Sequence, residues 1–228
     1  GGIPKTPNDF KYKFSWSPLG VLKALKSPSK SIRDYKEFEV DRPWNAISSY
    51  DAPLEQPESF EVYPNRDSLP FIKQYHFDPN WKIKEFVRGT LRLNGWSKAW
   101  QNVFEEIEML SGPIGETRLQ EMSDQFWRDN SYEEGEPDRV VLCVGLKAQK
   151  ENITQWHKTY VMDAWGDKES TAMARLVSFP LSYSIEAILL DKIPPGVHAA
   201  SDNLILITEW LEKISKIAQN FKIVDHNR

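Results

Sequence analysis

The sequence of 228 residues predicts an α+β fold, with a mixed, largely antiparallel sheet and helices packed mainly on one face. Stretches with the two-residue alternation of strands occur in groups, and so do stretches with the 3.6-residue spacing of helices. The two kinds of stretch do not alternate regularly along the chain. This order disfavours a parallel sheet built from βαβ units.

The first sixty residues predict short elements joined by irregular chain. Aromatic residues alternate with polar ones at 12–16, which predicts a half-buried strand. Ser17 and Pro18 then suit the cap and first turn of a helix, and a short strand is expected at 38–40. Because residues 43–58 contain three prolines, they predict an irregular connection.

The middle of the chain contains the clearest helical pattern, from Trp96 to Leu110. Its apolar residues fall on one face, and Gly112-Pro113 is expected to end it. This aromatic stripe predicts a core face or a subunit interface. A second, short helix is expected at 119–126.

The last ninety residues predict two strands followed by two helices. The continuous apolar run 139–146 predicts a strand covered on both faces, and 156–164 alternates as its hairpin partner. A helix is expected from Ser170, kinked or split at Pro180 because proline removes a backbone donor. Ser201 is the expected cap of the last helix.

Composition and missing motifs exclude several functions. A net charge of -4 argues against a general nucleic-acid-binding protein. The sequence has no apolar run long enough to cross a bilayer and no signal-peptide pattern, so we expect a cytoplasmic protein that binds no membrane. Cys143, the single cysteine, lies in an apolar run and is expected to fill the core. No dinucleotide or nucleotide-phosphate motif occurs, and the four histidines lack metal-ligand spacing, so neither a cofactor nor a metal is expected on this chain.

Two arginine-bearing segments, 63–68 and 87–92, form the candidate site. Arg66 lies between a proline and an aspartate, while Arg88 and Arg92 flank a glycine that permits close approach of a ligand. Guanidinium groups carry a fixed charge and a planar fork of donors, so two of them at strand ends can grip a ligand with several carboxylates. The alternative is that these arginines pair with Asp67, Glu61 or Glu85 on a solvated surface.

Several segments, in this order, resemble the C-terminal, substrate-binding part of the NADP-dependent, glutamate-forming saccharopine dehydrogenases. They are Gly1-Gly2-Ile3-Pro4, Tyr12-Lys13-Phe14-Ser15-Trp16-Ser17-Pro18, Tyr63-Pro64-Asn65-Arg66-Asp67-Ser68, Arg88-Gly89-Thr90-Leu91-Arg92, Glu133-Glu134-Gly135-Glu136, and Gly166-Asp167 followed by Ala172-Met173-Ala174. The resemblance implies that residues 1–228 form one substrate-binding and dimerisation domain. It also implies that an NADP-binding domain, absent from this chain, precedes it in the full-length enzyme.

The resemblance implies oxidative cleavage of saccharopine to L-glutamate and 2-aminoadipate 6-semialdehyde. It carries four substrate contacts onto this chain: Arg66 as a carboxylate clamp, Thr90 and Leu91 as backbone or hydroxyl contacts, and Arg92 as the second clamp. It identifies no catalytic acid or base here.

Two alternatives stay open at this point. One is a related dehydrogenase that acts on a different amino acid adduct. The other is a non-catalytic module that binds a dicarboxylate amino acid or mediates dimerisation. A homodimer is the expected assembly, since the aromatic helix face with Trp96 and Trp100 favours self-association.

Overall fold

A computed structural model describes residues 2–199 and 201–227 of the chain. In these two ranges, nine strands form three sheets. The strands are β1 (Ile3–Pro4), β2 (Ser29–Arg33), β3 (Lys36–Val40), β4 (Ser48–Ala52), β5 (Glu58–Pro64), β6 (Gly89–Leu93), β7 (Asp138–Lys150), β8 (Ile153–Trp165) and β9 (Asn220–Asp225). The α-helices are α1 (Pro18–Lys26), α2 (Pro70–Gln74), α3 (Trp96–Ala99), α4 (Gln101–Met109), α5 (Gly112–Asn130), α6 (Ala172–Leu189) and α7 (Leu204–Ile217).

The strands pair antiparallel throughout the three sheets. The largest sheet has the order β1-β7-β8-β9, a second has β4-β5-β6, and β2 and β3 form a hairpin. Glu151 and Asn152 join β7 to β8 with positive φ angles of 52° and 64°, the conformation of a tight two-residue hairpin turn. The α+β class with largely antiparallel strands is confirmed, although the strands belong to three sheets and not to one.

The two larger sheets pack face to face, with helices outside them. Phe60 of β5 lies with Val141 and Val161 of the hairpin in the apolar layer between the sheets. Tyr63, on the opposite face of β5, belongs to an aromatic cluster with residues of α1, α3, α4 and α5. The outer face of the hairpin, at Met162, packs on α6 and α7. Each larger sheet therefore has helices on one face and the other sheet on its second face.

The structure corrects two predictions in the first sixty residues. Tyr12 and Phe14 are buried, but Trp16 is 50% exposed and residues 12–16 form no strand. Their backbone amides bond elsewhere, since Tyr12 N donates to Asn8 Oδ1 at 3.1 Å and Phe14 N donates to the Asn130 carbonyl at 2.8 Å. Residues 43–58 are not irregular: a 3₁₀ turn at Pro43–Ala46 leads into β4, which pairs with β5.

Helix boundaries also differ from the predicted ones. The helix predicted from Trp96 to Leu110 is divided at Trp100 into α3 and α4, and α5, with 19 residues, is longer than expected. Helix α6 continues through Pro180 without being split. Asn203, not Ser201, caps α7, because its Oδ1 accepts from two backbone amides of the first turn at 3.0 and 3.2 Å.

Strand β7 is not covered on both faces, as its apolar sequence had predicted. Leu142, Val144 and Leu146 are 51%, 53% and 46% exposed. Trp96 and Trp100 are both 0% exposed in the aromatic cluster. Of the two alternatives predicted for this helix face, the core face is therefore the correct one, and the homodimer stays a prediction. Among the helices of the described residues, none is long and apolar enough to span a membrane.

Candidate anion site

Hydrogen bonds join the two arginine-bearing segments. Asn65 N donates to the Arg88 carbonyl at 2.8 Å, and Arg88 N donates to Oγ of the buried Ser68 at 3.0 Å. Beyond this contact, β5 pairs with β6, and Tyr63 lies opposite Thr90. The sequence had suggested that the second segment lies at the end of a strand, and this prediction is wrong. Its residues from Gly89 onward form β6 itself, since each finds a partner on β5.

The pairing register sorts the predicted contact residues onto two faces. Tyr63 and Thr90 are opposite each other, as are Glu61 and Arg92, and all four side chains share the face toward the aromatic cluster. The Leu91 side chain lies on the other face and packs in the layer between the sheets. Leu91 can therefore contact a ligand on the Arg92 face only through its backbone.

Arg92 is a buried cation enclosed by aromatic rings. Arg92 is only 7% exposed. Its guanidinium carbon lies 4.7 Å from the Tyr12 ring centre and 5.5 Å from the ring centres of Tyr63 and Trp96. Nη2 donates to Tyr63 Oη at 2.9 Å and Nη1 donates to the Leu91 carbonyl at 3.2 Å. Nε is buried and has no hydrogen-bond partner.

The carboxylates near the two arginines accept hydrogen bonds from backbone amides and form no ion pair with Arg66 or Arg92. Glu61, opposite Arg92, accepts from Gly95 N at 2.9 Å and Ser97 N at 2.7 Å, and so binds the amino end of α3. Asp67 accepts from a backbone amide at 2.9 Å, and Glu85 from another at 3.2 Å. None of the ion pairs in the part of the chain that the structure describes includes Arg66 or Arg92. Since a buried charge without a counter-ion is costly, the Arg92 environment favours binding of an anion.

Arg66 occupies a different environment from Arg92. It is exposed, its φ of 55° lies in the left-handed region, and its carbonyl accepts from Lys30 N at 2.9 Å. Arg92 is opposite Glu61, whereas Arg66 follows Glu61 by five residues and lies beyond the end of β5 at Pro64, so the two Cα atoms are at most about 17 Å apart. A joint grip of Arg66 and Arg92 on one ligand stays a prediction.

Tyr63 and Arg88 are further candidates that the sequence analysis did not assign as contacts. Burial raises the pKa of the Tyr63 hydroxyl although Arg92 acts against this, so the group stays a neutral hydrogen-bonding partner of Arg92. The Arg88 guanidinium lies 3.7 Å from the Phe71 ring centre, and the Arg88 carbonyl accepts from Asn65 N, next to Arg66. The signal for both was their position inside the two arginine-bearing segments.

Two shallow depressions lie outside the candidate site. One, of about 370 Å³, includes Lys11, Glu58 and Asn94, and the other, of about 380 Å³, includes Tyr35 and Trp81. Neither is lined by the four predicted contact residues.

NADP does not fit the strand arrangement of this chain. A dinucleotide site of the Rossmann type needs parallel strands joined through a helix with a glycine-rich turn. The strand pairs of residues 2–199 and 201–227 are antiparallel, and the sequence contains no such turn. Whether this chain takes part in binding NADP stays a prediction from the sequence.

The fold and the candidate site together define an α+β domain with a buried arginine, Arg92, that forms no ion pair with the other described residues. Comparison with known families gives a match to the saccharopine dehydrogenase C-terminal domain over residues 1–217. The chain belongs to this family, as its motifs had indicated.

Curated relatives are similar over half of the chain or less. The saccharopine dehydrogenase [NADP(+), L-glutamate-forming] of Pyricularia oryzae is 35% identical over 114 residues, which is 49% of this chain and 24% of that protein. The mitochondrial alpha-aminoadipic semialdehyde synthase of Mus musculus is 35% identical over 104 residues, 43% of this chain and 11% of that protein. The aligned part is thus a small fraction of each relative.

A solved structure has the same fold. Apo saccharopine dehydrogenase (L-Glu forming) from Saccharomyces cerevisiae matches with a TM-score of 0.71 and 20% identity, covering 97% of this chain and 64% of that chain. At this identity the match supports the α+β fold, and the residue roles must be argued from the site.

Proposed function

We propose that this chain is the substrate-binding domain of an NADP-dependent saccharopine dehydrogenase, an oxidoreductase of lysine metabolism. The full-length enzyme would cleave saccharopine oxidatively to L-glutamate and 2-aminoadipate 6-semialdehyde. The observation that carries the proposal is Arg92, a buried cation with an unpartnered Nε and no counter-ion among the described residues. Family membership and the names of the relatives support the choice of substrate.

The residues of this chain would bind and orient the substrate. Arg92 would neutralise one carboxylate, and Arg66 would bind a second at the outer end of the strand pair. Thr90 would contribute its hydroxyl and Leu91 its backbone between them. Saccharopine has carboxylates at both ends of an extended chain, which suits the separation of the two arginines. NADP, bound by a preceding domain, would accept the hydride.

Calorimetric titration of saccharopine into the 228-residue chain tests the proposal. We expect Arg92→Ala to weaken binding by roughly 2 to 5 kcal/mol, because it removes a buried charged donor, and Arg66→Ala to weaken it less because that side chain is exposed. Arg128→Ala, an exposed arginine of α5, is the control and should bind like the wild type. Unchanged binding in Arg92→Ala would refute the role of Arg92.

The same titration separates the alternatives. A related dehydrogenase for another adduct would bind that adduct more tightly than saccharopine with the same dependence on Arg92. A module for dicarboxylate amino acids would bind glutamate as well as saccharopine, with only one arginine contributing. A module that serves dimerisation alone would bind neither.

We further infer a cytoplasmic homodimer as the working form of the enzyme. Both the assembly and the location are expectations from the sequence. Sedimentation of the purified protein tests the first, and cell fractionation with an antibody to this domain tests the second.

A further inference from the structure

The Tyr63 hydroxyl contacts the two polar side chains of β6 that are predicted to bind the substrate. Tyr63 lies opposite Thr90 in the pairing of β5 with β6, and its Oη accepts from Arg92 Nη2 at 2.9 Å. Burial raises the pKa of Tyr63, and the contacts of its hydroxyl with Arg92 and Thr90 act against that rise. The phenol is therefore neutral at physiological pH and serves Arg92 as an uncharged acceptor.

Aromatic packing fixes the position of the Tyr63 ring. Its centre lies 5.2 Å from that of Trp96, with 22° between the two planes, and Tyr63 is only 3% exposed. Trp96 is itself 0% exposed, and its ring centre lies 5.2 Å from that of Trp100 and 5.2 Å from that of Phe104. Because close packing of this kind leaves a side chain little freedom, the Tyr63 hydroxyl has a defined position beside Arg92.

The hydrogen bonds of Arg92 within the chain use its two terminal nitrogens. A guanidinium has five N–H donors in one plane. Nη2 uses one of them toward Tyr63 Oη, and Nη1 uses another toward the Leu91 carbonyl. An acceptor on each terminal nitrogen prevents rotation of the group about its Nε–Cζ bond. The three remaining donors, which include the buried Nε, have no acceptor among the described residues and are left for a ligand.

Tyr12 and Tyr63 contact Arg92 in different ways. Tyr12 presents its ring, whose centre lies 4.7 Å from the guanidinium carbon. Among the hydrogen bonds of residues 2–199 and 201–227, only the Tyr63 hydroxyl joins a side chain to Arg92. The orientation of the guanidinium within its plane therefore depends on the Tyr63 hydroxyl and on the backbone of Leu91.

We propose that Tyr63 is a positioning residue for substrate binding, whose hydroxyl holds Arg92 in the orientation in which its free donors meet a substrate carboxylate. The inference rests on the proposed function, since it requires a carboxylate ligand at Arg92. A charged donor that is oriented before the ligand arrives loses less freedom on binding. The hydroxyl thus contributes to affinity without contacting the ligand itself.

Calorimetric titration of saccharopine into the 228-residue chain compares Tyr63→Phe with the wild type. The substitution keeps the stacked ring and removes only the acceptor, so we expect the dissociation constant to rise on the order of tenfold. Tyr12→Phe is the matched control and should bind like the wild type, because its contact with Arg92 is made by the ring. In an Arg92→Ala background, Tyr63→Phe should not change the affinity further, since the hydroxyl acts only through Arg92.

Nuclear magnetic resonance of the Arg92 side chain distinguishes failure of this inference from failure of the proposed function. A guanidinium held at both terminal nitrogens should give separate Nη signals at low temperature, identified by their loss in Arg92→Lys. Tyr63→Phe should merge these signals, because the group then rotates faster. Loss of ring packing alone would lower stability without this effect on Arg92.

Each outcome decides one of the two proposals. If the wild type binds saccharopine and Tyr63→Phe binds it equally well, the positioning role is overturned and the proposed function stands. If the wild type binds no saccharopine, the proposed function fails, and the Arg92 signals alone decide whether Tyr63 holds the guanidinium. Merged Nη signals in the wild type would overturn the positioning role even if Tyr63→Phe did not fold.

Discussion

At the scale of single residues, Asp138 fixes the start of α6 and makes Gly166 necessary. The fully buried Asp138 carboxylate accepts from Ala172 N at 2.5 Å and Met173 N at 2.9 Å. Gly166 N donates to the Asp138 carbonyl at 2.8 Å, and a Cβ on Gly166 would collide with Asp138 Oδ1. The glycine thus permits the close approach that lets one carboxylate cap a helix.

We expect Gly166→Ala to lower the free energy of unfolding by about 1 to 3 kcal/mol, because the added methyl group displaces a buried carboxylate. Gly20→Ala is the control. A Cβ on Gly20, inside α1, meets no atom within 4 Å, so this change should stabilise the protein by about 0.5 to 1 kcal/mol. Urea denaturation measures both values. Equal effects of the two changes would contradict the role of Gly166.

The buried Tyr63 and the half-buried Tyr50 should make the fold sensitive to alkaline pH. Burial, with a contact to Cys143, raises the pKa of Tyr50 to about 12, and burial also raises the pKa of Tyr63. In the unfolded chain tyrosine ionises near pH 10, so the free energy of unfolding should hold below pH 10 and fall as the pH rises from about 10 to 12.

Absorbance at 295 nm, followed from pH 8 to 12.5, should show one or more tyrosines that ionise only as the protein unfolds. Tyr50→Phe should make the free energy of unfolding less dependent on pH in this range. Ionisation of all eight tyrosines near pH 10 in the folded protein would disprove the argument.

At the scale of elements, α3 and α4 are anchored by Trp100. Its indole Nε1 donates to the Phe10 carbonyl at 2.9 Å, and its ring centre lies 4.6 Å from that of Phe10 and 5.2 Å from that of Trp96. This single side chain therefore ties the helices to the segment before α1.

We expect Trp100→Ala to cost about 3 to 5 kcal/mol of stability through the cavity it leaves. Trp100→Phe should cost less, since it loses the hydrogen bond and only part of the ring. Trp127→Ala, at a residue 46% exposed on α5, should change stability by less than about 1 kcal/mol. Thermal unfolding, monitored by circular dichroism, ranks the three variants by stability.

Elements with strong periodic patterns were predictable from sequence, and elements defined by pairing were not. The apolar face of α4 and the hairpin of β7 and β8 follow from spacing alone. Strand β4 could not be found that way, because its existence depends on hydrogen bonds to β5. The apolar run of β7 indicated burial on both faces, but a local pattern cannot tell a covered face from an exposed one.

The candidate site was also predictable only in part, because a local pattern does not contain contacts between distant segments. The segments around Arg66 and Arg92 were identified from residue types, and in the structure they are joined at Asn65 and Arg88. A shared ligand for Arg66 and Arg92 stays a prediction. The different environments of the two arginines were not predictable. Burial of Arg92 depends on Tyr12, eighty residues earlier in the chain, and no local pattern contains that contact.

At the scale of the whole molecule, Arg139 connects the two packed sheets. From β7 it binds Asp163 of β8 through Nε at 2.7 Å and Nη2 at 2.8 Å, and it binds Glu58 of β5 through Nη1 at 2.7 Å. The Arg139 and Asp163 side chains are only 11% and 13% exposed. One guanidinium therefore holds a carboxylate of each sheet in a mostly buried position.

We expect Arg139→Ala to destabilise the protein by about 3 to 5 kcal/mol, because it leaves Asp163 charged and buried without its partner. Glu58→Ala should cost about 1 kcal/mol or less, since the Glu58 side chain is 34% exposed. In a double-mutant cycle the Glu58 change should lose its effect once Arg139 is removed, which would measure the coupling between the sheets. Denaturation followed by tryptophan fluorescence and by far-ultraviolet circular dichroism should give coincident transitions for the wild type. If the effects of the two substitutions were simply additive, the sheets would be held together by their apolar layer alone, and Arg139 would be no more than a local contact of β7 and β8.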